Sequence, residues 1–489
     1  MKLFLFFLSL IFPCASGAVI IGYSGAFREK KYPVLSLVTG LLIGLGISSI
    51  MLFLWLLVYG KVSNYYIAFE SILLIFLFFL LKKNWQKFMT PQPGALPAQN
   101  ETGQKAEANR ILTPSRVKLI FIYLVFFHAI FLLMGAFKLP QGYWDAWAIW
   151  NLRARMIFLS GDAWESAFSD TYGDSHPDYP LMLPLMITRS WIFTGEPTAI
   201  VPAGFSIFAA LATTIFLFYA VERLRGRYTA LTAVLLLMGT PFFLKFGCWQ
   251  YSDQLLGLFF LVTCYFLIAG TQKGQEKLMF IAGLSAGLAA WTKNEGLVFA
   301  LLTLLYLIMS FWLQSEKSAR EAWKSKFLPF CTGIAPGILT LILFKSVFPV
   351  RNDILAAVSN HSFSIFFDFA RHAKILKHMW SSLFIQAEEK VFYPHMPLPI
   401  LIAGYFLFSR RKNSLLSTWL LTIIPAGMLL SYAAAYLFSP HALEWHIEKS
   451  FNRLFMQQWP IILFLFSILA SESRSQGIDC NNDELNSIV

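Results

Sequence analysis

Residues Lys118–Pro184 read KLIFIYLVFFHAIFLLMGAFKLPQGYWDAWAIWNLRARMIFLSGDAWESAFSDTYGDSHPDYPLMLP. From Leu119 to Phe137 there is no charged side chain. A helix over that stretch is long enough to cross a bilayer's hydrocarbon, which is ~30 Å thick and takes roughly 20 apolar residues. At Gln141 the character changes. Gln141–Pro184 is polar but crowded with tryptophan, tyrosine and acids. It opens on Trp144-Asp145-Ala146-Trp147 and closes on His176-Pro177-Asp178-Tyr179-Pro180. A connection that merely joins two helices is short and bland. This one reads as the floor of a site at a membrane surface.

The rest of the chain repeats the apolar half of that pattern. Of its 489 residues, 57% are hydrophobic and 13% charged. A soluble domain carries about 25% charge. Apolar runs recur near 34–59, 66–81, 198–220, 228–246, 254–270, 277–291, 296–313, 327–347, 397–409, 415–437 and 454–470, of which 277–291 and 397–409 are short. With the runs at the N-terminus and at 118–137, the count is about thirteen spans. Backbone groups in lipid must be satisfied within their own segment, so the spans are helices. The runs are continuous rather than alternating, which excludes an outer-membrane barrel. The fold class is therefore all-α, a polytopic transmembrane helical protein with a large outer loop after the fourth span. The N-terminus has the Lys2, apolar core and small residues of a signal peptide. Its apolar run continues through Ile21, so a retained first span is the preferred reading.

The chain divides accordingly. Residues 1–81 are N-terminal helices, and 82–117, with Pro91, Pro93, Gly94, Pro97 and Gly103, a cytoplasmic linker. Residues 118–347 are the membrane core, including the outer loop 138–197. A second outer loop spans 348–396, C-terminal helices 397–470, and a polar cytoplasmic tail 471–489. The apolar segment Leu181–Phe193, interrupted by Arg189, is short for a span and reads as an interfacial helix. The formal charge of +12 sits beside the spans. It is a topology signal and not a nucleic-acid footprint. With 82–117 inside, the basic clusters at 222–227, 317–326 and 410–412 also fall inside, and Gln141–Pro184 falls outside. The five cysteines have neither ligand spacing nor a paired framework.

Chemistry-bearing residues gather on the outer side. Asp145 follows a span closely, and an acid there is costly unless paired, hydrated or used. Trp144 and Trp147 suit an interfacial aromatic belt. Asn151, Arg153 and Arg155 on the following turns add a polar face. The prolines stiffen His176–Pro180, where His176 and Asp178 could bind a divalent metal or a sugar hydroxyl. Ser252 or Asp253 could cap the helix that follows Tyr251. Gly283 and Gly287 have the spacing of close helix packing. Lys293 either pairs with Glu295 or holds a phosphate. Arg453 meets a lipid phosphate or snorkels.

Four of these motifs, in this order, resemble the GT-C superfamily of integral-membrane glycosyltransferases. The resemblance is to the bacterial branch of protein mannosyltransferase-like and lipid A aminoarabinose-transferase-like proteins. The motifs are WDAWAIW with Asp145, HPDYP with His176, Asp178 and Tyr179, Tyr251-Ser252-Asp253-Gln254, and Gly287-Leu-Ala-Ala-Trp-Thr-Lys293-Asn-Glu-Gly296. They cover roughly residues 118–313. The single acid at Asp145 and HPDYPL in place of HPPL depart from the family's usual motifs, and the N-terminal helices are extra to the common core. The resemblance implies sugar transfer from a polyprenyl-phosphate donor to a glycan, lipid or protein acceptor. The site would face the periplasm of a bacterial inner membrane. Asp145 would be the general base of an inverting displacement. Lys293, Arg153 or Arg453 would stabilise the leaving phosphate, and Trp144 and Trp147 would stack on sugar. The resemblance fixes no cofactor, and the need for a divalent metal stays open. Two alternatives remain: a transporter or flippase of lipid-linked saccharides, which expects polar groups at mid-span and broken helices, and a non-catalytic membrane assembly subunit.

Overall fold

The computed structural model describes residues 1–24, 33–89, 113–169, 175–271, 275–313, 317–350, 352, 363–384 and 419–469. Among them every regular element is helical. The first five helices are α1 (Lys2–Ser9), α2 (Ile11–Ser24), α3 (Pro33–Tyr59), α4 (Tyr65–Met89) and α5 (Pro114–Lys138). The tryptophan-rich loop folds as a π-turn (Ala146–Trp150), α6 (Asn151–Leu159) and a 3-10 turn (Gly161–Phe168). Then come α7 (Met182–Thr194), α8 (Ile200–Arg225), α9 (Arg227–Met238), α10 (Pro241–Cys248) and α11 (Ser252–Gly270). The chain continues with α12 (Leu278–Thr292), α13 (Asn294–Trp312), α14 (Lys317–Val347), α15 (Phe369–Phe384), α16 (Ile423–Leu437) and α17 (Leu443–Leu469).

Among the described residues, 8 helical segments are long and apolar enough to cross a membrane, or 9 if α9 and α10, bent by 68°, count as one. The N-terminal run is one of them, as Lys2–Ser24. The other expected spans have physical reasons to differ. The helices α12 and α16 have only 15 residues each. The 27-residue α17 carries Glu444, His446, Glu448, Lys449 and Arg453 in its first half. The expected span 397–409, the tail 471–489, most of the 82–117 linker, and residues 351, 353–362 and 385–396 of the 348–396 loop lie outside the described residues.

The expected interfacial helix at 181–193 is a correction. Every residue of α7 except Phe193 is buried. Arg189 is 1% exposed. It donates from Nε and Nη2 to the two carboxylate oxygens of Glu70 at 2.7 and 2.5 Å, and from Nη1 to the Ser9 carbonyl at 2.6 Å. The Tyr66 hydroxyl also donates to Glu70 at 2.8 Å. An arginine with no partner in this position would reach for water. A carboxylate supplied by α4 lets α7 sink into the bundle instead.

The glycine spacing does what it promised. A Cβ on Gly283 would lie 2.1 Å from the Phe330 carbonyl oxygen, and one on Gly287 would lie 2.4 Å from that of Ile334. Gly333 and Gly337 on α14 answer them, with added Cβ atoms 2.2 Å from Phe280 and 2.1 Å from Gly287. The helices α12 and α14 therefore touch backbone to backbone, which only small residues permit.

The two ends of the bundle differ. One end carries the Asp145 loop, α6 and the Lys2–Glu196 ion pair. At the opposite end Arg225 donates to the Ile468 carbonyl (2.6 Å), Arg227 to Pro114 (3.3 Å) and Lys326 to Thr271 (2.9 Å). The cations expected on the inner side thus meet the C-terminal ends of α17 and α11 and the first turn of α5 at one common end.

Candidate active site

Asp145 stands on a loop bolted to the segment before α11. Gly142 has φ +76, and a Cβ there would lie 2.5 Å from Ala146 Cβ and 2.6 Å from the Trp249 carbonyl oxygen. Only glycine fits both the backbone and the space. Tyr143 donates its N–H to the Trp249 carbonyl (3.1 Å) and stacks on the Trp249 ring at 4.5 Å. Gln250, itself at φ +60, donates to the carbonyls of Leu139 and Pro140, both at 3.2 Å. Its Oε1 accepts from Asn151 Nδ2 at 3.0 Å. These bonds fix the backbone of Asp145, whose N–H donates to the Tyr251 hydroxyl at 3.2 Å.

The Asp145 carboxylate is ion-paired with Arg453 of α17. The side chains keep 18% and 22% exposure, so the pair is reachable from solvent. The Arg453 guanidinium also lies over the Tyr251 ring at 5.5 Å. Burial and the Asp145 charge push the Tyr251 phenol above its ordinary value, so it stays a neutral donor and acceptor.

Behind this pair lies a buried one. Asp253, 1% exposed, accepts from Lys293 Nζ at 3.1 Å and from Gln457 Nε2 at 2.6 Å. Lys293 also pairs with Glu295 at 2.8 Å and lies over the Tyr179 ring at 5.7 Å. Burial alone would pull the Lys293 ammonium down. The carboxylates of Asp253 and Glu295 outweigh it and hold the group above its ordinary value. Lys293 is thus held by two acids. The cap expected from Ser252 or Asp253 is absent: Tyr251 holds the N-cap position of α11, with no side-chain cap bond.

His176–Pro180 forms the third side. The Tyr179 N–H closes a turn on the His176 carbonyl at 3.1 Å, with His176 at φ +48. Tyr179 is stacked between Trp150 (5.4 Å) and His176 (4.9 Å). Asp178 faces the other way and is 3% exposed. Its Oδ2 accepts from Asn294 (2.8 Å) and Asn352 (2.6 Å), and its carbonyl accepts from Lys345. Arg153 is spent on Ser175, donating to its carbonyl at 3.2 Å and its hydroxyl at 2.9 Å. Burial lowers its guanidinium to about 10, against the pull of Asp178, so it stays charged at neutral pH. Among the described residues no three His, Cys, Asp or Glu side chains converge on a metal position. Asp178 in particular spends one oxygen on two amides.

Asp145, Tyr179, Asp253, Lys293 and Arg453 therefore meet, and Arg453 lies within electrostatic reach of Asp145, Asp253, Tyr251 and Tyr179. His176, Asp178 and Arg153 frame that centre. Trp144 and Trp147 are exposed and pack edge to face at 4.6 Å. Sequence reading missed Gln457, although it lies four residues after Arg453 and so shares its helix face. Asn294, Lys345 and Asn352 were also missed. Lys345 looks like any lysine at the end of a span, and Asn352 carries no local signal.

Residues 178–329 match the family model of dolichyl-phosphate-mannose-protein mannosyltransferases. No curated protein and no solved structure matches the chain. The matched stretch starts at Asp178 and contains Tyr179, Asp253, Lys293 and Glu295, while Asp145 and Arg453 reach the same centre from either side of it. Residues 178–329 of this polytopic helical membrane protein thus match a glycosyltransferase domain of the GT-C superfamily, that of the dolichyl-phosphate-mannose-protein mannosyltransferases.

Proposed function

We propose that the protein moves a sugar from a polyprenyl-phosphate donor to an acceptor hydroxyl at the outer, periplasmic face of a bacterial inner membrane, with inversion. The observation that carries this reading is the Asp145–Arg453 pair, half open beside a buried Asp253–Lys293 pair. In this reading the carboxylate is the proton acceptor and the guanidinium beside it binds the anion. Of the three cations considered for the leaving phosphate, Lys293 is held by two carboxylates and Arg153 by Ser175. Arg453 is the one with solvent access beside the base.

The step balances simply. The acceptor hydroxyl gives its proton to an Asp145 oxygen as its own oxygen bonds to the anomeric carbon. The bond from that carbon to the phosphate oxygen breaks, and polyprenyl phosphate leaves with the electron pair. Arg453 neutralises the charge that develops there. Before donor binds, Arg453 is paired with Asp145. The donor phosphate then competes for the guanidinium and frees the carboxylate to act as base. Tyr251 holds the Asp145 backbone while this exchange occurs.

The flippase reading keeps one supporting feature, the 68° break between α9 and α10. The two are separated by reconstituting the purified protein in vesicles with an extracted pool of polyprenyl-phosphate sugars. A transferase releases free polyprenyl phosphate and glycosylated acceptor. A flippase moves the intact lipid-linked sugar between leaflets and releases neither, which would sink the proposal.

A further inference from the structure

A cavity of about 120 Å³ opens on the same end of the bundle as Asp145. Its walls include Gln141, Trp147, Asn151, Arg155, Trp191 and Thr198. Trp147, Asn151 and Arg155 are spaced four apart and so share one helix face. At ~1.5 Å per residue they mark a line roughly 12 Å long. Asp145 lies two residues before Trp147 in the chain, at the same end of the bundle. The opposite wall is rigid, because Trp191 Nε1 donates to the Thr198 carbonyl at 2.9 Å.

The lining has the chemistry of a sugar subsite. Trp147 is 47% exposed and offers a ring face. Asn151 is 6% exposed, and its amide nitrogen is held by the Gln141 carbonyl (3.2 Å) and Gln250 Oε1 (3.0 Å). That leaves its Oδ1 without a hydrogen-bond partner among the described residues. A buried acceptor left so is costly. Arg155 is exposed and is the one cation of the lining among the described residues. Its fork geometry suits a carboxylate or a phosphate. A cavity this small is below the roughly 300–1,000 Å³ of pockets for drug-sized ligands, and fits one ring better than a stretch of peptide.

We propose that the cleft lined by Gln141, Trp147, Asn151, Arg155, Trp191 and Thr198 seats the acceptor as a saccharide bearing a carboxylate or phosphate, with the anion on Arg155 and the nucleophilic hydroxyl toward Asp145. It rests on the transferase reading of Asp145 but is tested apart from it. The full chain in lipid nanodiscs is titrated with methyl glucuronide, glucose 1-phosphate and neutral methyl glucoside, and binding is read by saturation-transfer NMR. The anionic sugars bind at least about tenfold tighter than the neutral one, the size expected of a charge-assisted hydrogen bond. Comparing the two identifies carboxylate or phosphate as the recognised group. Arg155→Gln abolishes that preference and Trp147→Ala weakens all three, and both residues are exposed enough for the variants to fold. Asp145→Asn leaves the preference in place. No preference, or one untouched by Arg155→Gln, overturns the assignment. So does displacement of the sugars by polyprenyl phosphate alone, which would give the cleft to the donor. If Asp145→Asn still transfers sugar while the binding pattern holds, the base is wrong and the subsite stands.

Discussion

Asp145 and Arg453 neutralise each other at rest, so each substitution affects the other. Arg453→Ala leaves the carboxylate unpaired and the leaving phosphate without its cation. The expected loss is on the order of 10²–10³ in kcat/KM, measured as polyprenyl-phosphate release. Arg453→Lys recovers part of it as a point charge without the fork. His446 supplies the pH dependence. Burial first, then the charges of His441, Arg453 and His176, lower its imidazole to about 4 from an ordinary 6.5. Its folded form is therefore neutral, and the unfolded chain takes up the proton first as pH falls. Stability held above pH 6.5 declines between about 6.5 and 4 and then levels. His446→Gln should flatten that decline in thermal unfolding measured across pH. At this scale the sequence was legible where type and spacing coincide. Asp145 between tryptophans and Lys293 in its glycine-bounded motif, both read as candidates, lie in neighbouring ion pairs. Asp178, read as able to bind a divalent metal or a sugar hydroxyl, has one carboxylate oxygen on Asn294 and Asn352, which are distant in sequence and invisible to local pattern.

Elements were legible when their apolar runs stood alone. Helices α3, α4, α5, α8 and α11 fall where the runs fall. The reading failed at α7 because the partner of Arg189 lies more than a hundred residues away, on α4. That pair is also the strongest claim at this scale. Glu70→Gln or Arg189→Met alone leaves an uncompensated charge or broken bonds among apolar helices, and costs about 3–5 kcal/mol. Replacing both with apolar residues of similar volume costs much less. Thermal unfolding of the two single variants and the double variant in one detergent checks this. If the double variant is as unstable as the singles together, the two residues act separately and the clamp is not a unit. The clamp also ties α1 and α4 to α7, the helix that follows the His176–Pro180 turn. The N-terminal helices, extra to the common core by sequence, are therefore fastened to the site by this pair.

For the molecule as a whole, positive charge and apolar length were enough to foresee which ends of the helices meet. Asp145, Asp253, Lys293 and Arg453 come from four separate stretches and gather at one end, while Arg225, Arg227 and Lys326 gather at the other. What sequence alone left open was the division of labour among the cations, since that depends on which carboxylates fold beside them. The central claim is that the half-open carboxylate does the chemistry. It is tested most directly by comparing purified wild type and Asp145→Asn for release of polyprenyl phosphate from a pool of polyprenyl-phosphate sugars, with the folded state of both checked by thermal unfolding. The account predicts a folded variant whose release falls by about 10²-fold or more. Equal release by the two proteins would contradict it.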